Sequence, residues 1–120
     1  MCSIIGYRGN NSAAPILVKG LQKMEYRGYD SVGIATKSEN QILLRKGVGK
    51  VVEVNNAVQL DKLPGKIGIG HTRWATHGKV TEQNAHPHSS NSGKIAIVHN
   101  GIIENFEELK SNLQNKGFDF

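Results

Sequence analysis

Strand-like runs in this chain fall in neighbouring groups rather than alternating with helices, and that grouping constrains the fold most. Ser31–Thr36 and Gln41–Lys46 are two such runs, joined by a polar turn at Glu39-Asn40, and together they read as a hairpin. Ser3–Tyr7 is a short apolar strand, and Lys66–Thr72 is another in which Gly68 and Gly70 alternate with Ile67 and Ile69. Lys94–His99 alternates cleanly and predicts a further strand. Grouped strands favour an α+β fold over a doubly wound parallel sheet.

Helical signals fill the gaps. Asn10, Asn11 and Ser12 are turn and cap types ahead of a face bearing Ile16, Leu17, Leu21 and Met24. Pro15 falls in the first turn, where its missing N–H costs nothing, and Arg27-Gly28 ends the helix. Val51–Leu60 is Val-rich but spaced as a short helix. Glu104–Lys116 is amphipathic, with Phe106, Leu109 and Leu113 expected inward and Gly117 as the stop. Phe118–Phe120 opens another element, so the chain reads as a fragment of a larger fold.

The formal charge is +5, but the basic residues are scattered and do not interleave with aromatics, which argues against a nucleic-acid surface. The opening residues hold no long apolar run, and no segment reaches membrane-spanning length. One cysteine makes no internal disulfide, so a reducing, cytoplasmic setting is expected.

That cysteine is Cys2, directly behind Met1. Removal of Met1 would leave one residue carrying a thiol nucleophile and an α-amine able to act as its base. The unperturbed groups titrate near ~8.5 and ~7.7–8.0, so they can exchange a proton close to neutral pH. The alternative is a small buried side chain at a strand start.

Other candidates lie at element ends, where functional groups often sit. Asn100-Gly101 is either a turn dipeptide or a pair of amide donors for an oxyanion. Arg73 is a fork for a carboxylate, a structural ion pair or a surface charge, and Trp74, Thr76 and His77 follow it. His71, His77, His86, His88 and His99 raise a metal alternative, yet no spacing matches a zinc pattern and no cysteine lies near. No metal is expected.

Taken together, these segments resemble the class II glutamine amidotransferases, which are N-terminal-nucleophile hydrolases. Within them the resemblance is to the glutamine–fructose-6-phosphate aminotransferase family. It is carried by Met1-Cys2-Ser3-Ile4-Ile5-Gly6-Tyr7 and by the run Met24-Glu25-Tyr26-Arg27-Gly28-Tyr29-Asp30-Ser31-Val32-Gly33-Ile34-Ala35. His71-Thr72-Arg73-Trp74-Ala75-Thr76-His77-Gly78, Asn84-Ala85-His86-Pro87-His88 and Val98-His99-Asn100-Gly101-Ile102-Ile103-Glu104-Asn105 complete it. Tyr29 and Trp74, where amidophosphoribosyltransferase-like domains tend to carry Gln and Tyr, point to the hexosamine branch. Ser3 departs from the Gly more usual there.

The resemblance implies a four-layer αββα sandwich, incomplete in this chain. Residues 1–120 would be the N-terminal part of a glutaminase domain, with the isomerase domains absent. Mature Cys2 would attack the side-chain amide of glutamine, with Asn100 and the Gly101 N–H holding the oxyanion. Arg73 would bind the substrate carboxylate with help from Thr76 and His77. Trp74 would lie in a loop closing over glutamine, and Arg27 would organise the Cys2 region. The carboxylate for the substrate ammonium would lie beyond Phe120. No cofactor is implied. Fructose 6-phosphate would be met only through the isomerase domains of a homo-oligomeric parent. The alternative is an inactive, truncated fold acting by association.

Overall fold

The computed structural model describes residues 1–120. Four strands form one antiparallel sheet: β1 (Ser3–Arg8), β2 (Ser31–Ser38), β3 (Gln41–Val48) and β4 (Ile67–Arg73), in the order β1-β4-β2-β3. The β2–β3 hairpin pairs Ser38 with Gln41, and Glu39 turns the corner at φ +55°. The predicted hairpin therefore forms, and each strand runs two residues further at its C-terminal end, to Ser38 and to Val48. β4 runs between β1 and β2, with Thr72 opposite both Ser3 and Val32.

One face of this sheet is covered by helix α1 (Ala13–Met24) and, towards β3, by α2 (Val51–Val58). α1 begins where the Ala13 N–H donates to the Gly65 carbonyl at 2.8 Å. Ser12 stands at the cap position but makes no side-chain capping bond. Ala13, Ala14, Leu17, Val18 and Leu21 recur at helical spacing and are buried. They meet Val32 and Ile34 of β2 in the apolar core. The helix lies close because β4 offers only glycine there: a Cβ on Gly68 would come within 2.7 Å of Leu17 Cδ1 and 2.9 Å of the Ala35 carbonyl. A Cβ on Gly70 would come within 3.0 Å of both Ile5 and Leu21. α2 buries Val51 and Val54, the latter against Gly47, and ends at Gln59 in the left-handed conformation. A 3-10 turn at Leu60–Lys62 replaces its expected last turn.

The opposite face carries less. Two two-residue strands, β5 (His88–Ser89) and β6 (Ala96–Ile97), form a small antiparallel ladder. The strand expected over Lys94–His99 is thus paired at only two positions, because β5 is its sole partner. Helix α3 (Phe106–Asn115) forms at the expected place. Its expected inward residues are exposed instead, Phe106 by 53%, Leu109 by 42% and Leu113 by 37%, because no element of this chain packs on them. No helix is long and apolar enough to cross a membrane. The architecture is α+β, with helices α1 and α2 on one face of a four-stranded sheet and a separate two-stranded ladder.

Candidate active site

Alternation along β4 separates packing from chemistry. Gly68, Gly70 and Thr72 face α1, so His71 and Arg73 emerge on the other side of the sheet. Ser3 pairs with Thr72 in the antiparallel register, which brings Cys2 level with Arg73 at the sheet end. The chain then turns at Trp74, whose backbone N–H points at Cys2 Sγ from 3.4 Å. The Trp74 carbonyl is 3.7 Å from the same sulfur.

That turn is held from beneath. The Asp30 N–H donates to the Arg73 carbonyl at 2.9 Å, and the Ala75 N–H donates to Asp30 Oδ2 at 2.7 Å. Gly28 fits the same junction: a Cβ there would lie 2.8 Å from Trp74 Cβ and 2.9 Å from the Met1 carbonyl. The Trp74 ring, 43% exposed, meets Tyr29 edge-on at 5.7 Å. Lys50 lies 5.2 Å above the Tyr29 ring.

A cavity of about 440 Å³ opens at this sheet end. Cys2, Arg73, Trp74, Thr76, His77 and Gly101, all expected from the sequence, line it. Asn100 and Arg27 do not. Asn100 is attached to the wall through His71, whose Nε2 lies 2.7 Å from Asn100 Oδ1. Arg27 engages Met1 rather than Cys2: its carbonyl accepts from the Met1 amine at 2.5 Å, and its guanidinium donates to Met1 Sδ. Arg73 also has a task that the sequence did not reveal. It donates to the backbone carbonyls of His77 and Lys79, the latter at 2.9 Å, and so folds its own loop around itself. Thr76 Oγ1 and His77 Nδ1 are 3.2 Å apart.

Three histidines form the cavity floor. The His71 and His86 rings are 4.5 Å apart, and those of His86 and His88 are 4.4 Å apart. The segment bearing the cis His86-Pro87 bond lies close on the sheet: a Cβ on Gly33 would come within 2.2 Å of the His86 carbonyl oxygen, so no side chain fits there. Lys46 Nζ clamps it by donating to the Ala85 carbonyl at 2.6 Å and the Pro87 carbonyl at 3.1 Å.

These groups share their electrostatics. Burial lowers the pKa of His71, and Arg73 and His88 push the same way against the Asn100 hydrogen bond. His86 falls to about 3, first through burial and then through His71, His88, Arg73 and Lys46. His88 is lowered by burial and by Lys46 and Arg73. Burial also lowers Lys46, which Glu82 partly offsets. The imidazoles are therefore neutral near pH 7. Arg73 carries fixed positive charge, and the cavity lining contains no carboxylate. Such a wall suits an anionic group. No three His, Cys, Asp or Glu side chains form a group that could hold a metal ion.

A family model described as a glutamine amidotransferase domain matches residues 55–120. The chain belongs to the glutamine amidotransferase domain family. It is similar over its whole length to a glutamine–fructose-6-phosphate aminotransferase (isomerizing) of Pyrococcus horikoshii, at 56% identity, covering 20% of that protein. The equivalent protein of Methanococcus maripaludis is 57% identical over the same 120 residues, again 20% of its length. Among solved structures, a glutamine phosphoribosylpyrophosphate amidotransferase from B. subtilis, complexed with ADP and GMP, superposes with a TM-score of 0.82 at 33% identity. The match covers all of this chain and 26% of that one. An allosteric regulatory enzyme of purine biosynthesis superposes at 0.83 with 34% identity. The chain thus spans about a fifth of the curated relatives it matches.

The sequence offers His71, His86 and His88 only as a metal alternative, and it does not place them, or Lys46, against the cavity that holds Cys2 and Arg73. Alternation in β4 carried the signal for His71, since it shares a face with Arg73. Nothing local marks Lys46, whose partners are 39 and 41 residues away.

Proposed function

We propose that this chain is the N-terminal part of a glutaminase domain and that Cys2 hydrolyses the side-chain amide of glutamine. The observation that carries the reading is the shared cavity. Cys2 Sγ, the Arg73 guanidinium and Gly101 line one wall system, with Asn100 fixed beside them.

The chemistry follows from these positions. Met1 is 70% exposed and open to an aminopeptidase; its removal frees the Cys2 α-amine. That amine takes the thiol proton. The sulfur attacks the carboxamide carbon, and the negative charge moves to the carbonyl oxygen. The Asn100 amide and the Gly101 N–H stabilise that oxyanion. Its collapse breaks the C–N bond, and the amine returns the proton to the departing ammonia. Water then attacks the thioester, releasing glutamate and regenerating the thiol. Arg73 pairs with the substrate α-carboxylate while part of its fork holds the loop, and Thr76 and His77 complete that side. Trp74 shields the sulfur, and Arg27 binds Met1 before processing and lies beside Cys2 afterwards.

We further propose that the full-length protein passes the ammonia to fructose 6-phosphate through isomerase domains outside residues 1–120 and acts as a homo-oligomer. The names of the curated relatives support the sugar substrate. A reducing, cytoplasmic setting is proposed because a nucleophilic thiol has to stay reduced. The test is Cys2→Ala in the full-length protein. Glutamate release from glutamine is expected to disappear, and turnover by the variant at the parental rate would refute the assignment.

A further inference from the structure

An asparagine side chain serves an oxyanion only if its nitrogen faces the charge. Rotating the amide by half a turn presents the oxygen instead, and the contact becomes repulsive. Gly101 donates through its backbone and has no such ambiguity; Asn100 does. Something must fix the orientation of that amide.

We infer that His71 is a positioning residue whose Nε2–H holds the Asn100 carbonyl oxygen, so that the Asn100 NH2 group is the one left for the oxyanion. This rests on the glutaminase reading above.

The geometry makes the orientation one-way. His71 Nε2 and Asn100 Oδ1 are 2.7 Å apart, and His71 is 1% exposed. Its other nitrogen, Nδ1, is buried with no partner. A neutral imidazole carries one N–H. Placing that proton on Nδ1 would strand a buried donor, which proteins avoid more strictly than a bare acceptor. The proton therefore sits on Nε2, and Nε2 has to meet an acceptor. Only the oxygen of the Asn100 amide satisfies it. Burial and the neighbouring Arg73 keep the ring neutral. The His86 ring packs against His71 at 4.5 Å, tilted by 36°. His71 stands opposite Gly33, the position that lets the His86 carbonyl lie against the sheet.

The experiment is a double-mutant cycle on glutaminase activity in the full-length protein. Asn100→Ala is expected to lower kcat about 10²- to 10³-fold, as loss of an oxyanion donor does. His71→Phe keeps the ring and loses the donor; kcat is expected to fall about 10- to 100-fold through misorientation, with the KM for glutamine little changed. His71→Gln restores an N–H at similar reach and recovers most of the rate. In the Asn100→Ala background, His71→Phe adds less than about a twofold loss, since its partner is gone. Alkylation of Cys2 by iodoacetamide forms no oxyanion, so His71→Phe alkylates at the parental rate. If the two losses multiply, or if alkylation falls in step with kcat, His71 supports the fold and the inference is overturned. An undiminished kcat in Asn100→Ala would remove Asn100 from the oxyanion and overturn the inference, whereas parental turnover by Cys2→Ala would overturn the glutaminase reading itself.

Discussion

The two faces of the main sheet are built from the same strands and behave as different materials. On one face Val32 and Ile34 meet α1 in the apolar core, and Gly68 and Gly70 leave a Cβ no room without a shift of Leu17 or Leu21. On the other, alternate residues of those strands present His71, Arg73 and Lys46, wired to loops by hydrogen bonds over long sequence separations. The comparison teaches that stability and chemistry are separated by a single step along β4. A face packed to its limit supplies the rigidity, and a looser, charged face spends that rigidity on placing donors.

The largest separation is expected from a core truncation. Leu21 is fully buried on α1, and Leu21→Ala should cost about 2–5 kcal/mol of stability while the surviving folded fraction keeps its glutamine KM. Chemical denaturation with parallel kinetics checks this; a changed KM at unchanged stability would show that the faces are coupled. Next comes Arg73→Lys, which keeps the charge and loses the planar fork. KM for glutamine should rise by about tenfold or more with a smaller change in kcat. A fall confined to kcat would assign Arg73 to the attack instead of to binding.

Acid sharpens the comparison with a smaller effect. His71, His86 and His88 are lowered below the ordinary value near ~6.5, so the unfolded chain binds protons before the folded one does. Stability from this face is complete above about pH 6.5 and declines as pH falls through the unfolded value, the loss extending towards about 3 for His86. Denaturation midpoints measured from pH 7.5 to 5 should fall, and His86→Gln should flatten the slope. A profile that is level for the parent protein would contradict the neutral cluster.

Local pattern made much of the first face legible. The β2–β3 hairpin, α1 with Pro15 in its first turn, and the alternation in β4 all follow from periodicity and turn chemistry. The second face was legible only in part. Lys94–His99 has a strand pattern, but a strand needs a partner, and only His88–Ser89 supplies one. The apolar face of α3 follows from its spacing, yet spacing does not say what covers it. Among the candidate site residues, Cys2, Arg73 and Gly101 are legible from chemical type and resemblance, and they line one cavity. The histidine floor, the Lys46 clamp and the use of Arg73 on its own loop are tertiary facts, set by which loop lies on Gly33 and Lys46.

The most direct test of the central claim is the intact mass of the full-length protein after incubation with a glutamine analogue that carries an electrophile in place of the carboxamide, followed by peptide mapping. The account predicts a chain lacking Met1 and carrying one adduct, on Cys2. A chain that keeps Met1 and stays unmodified, or one whose single adduct lies on another residue, would contradict it.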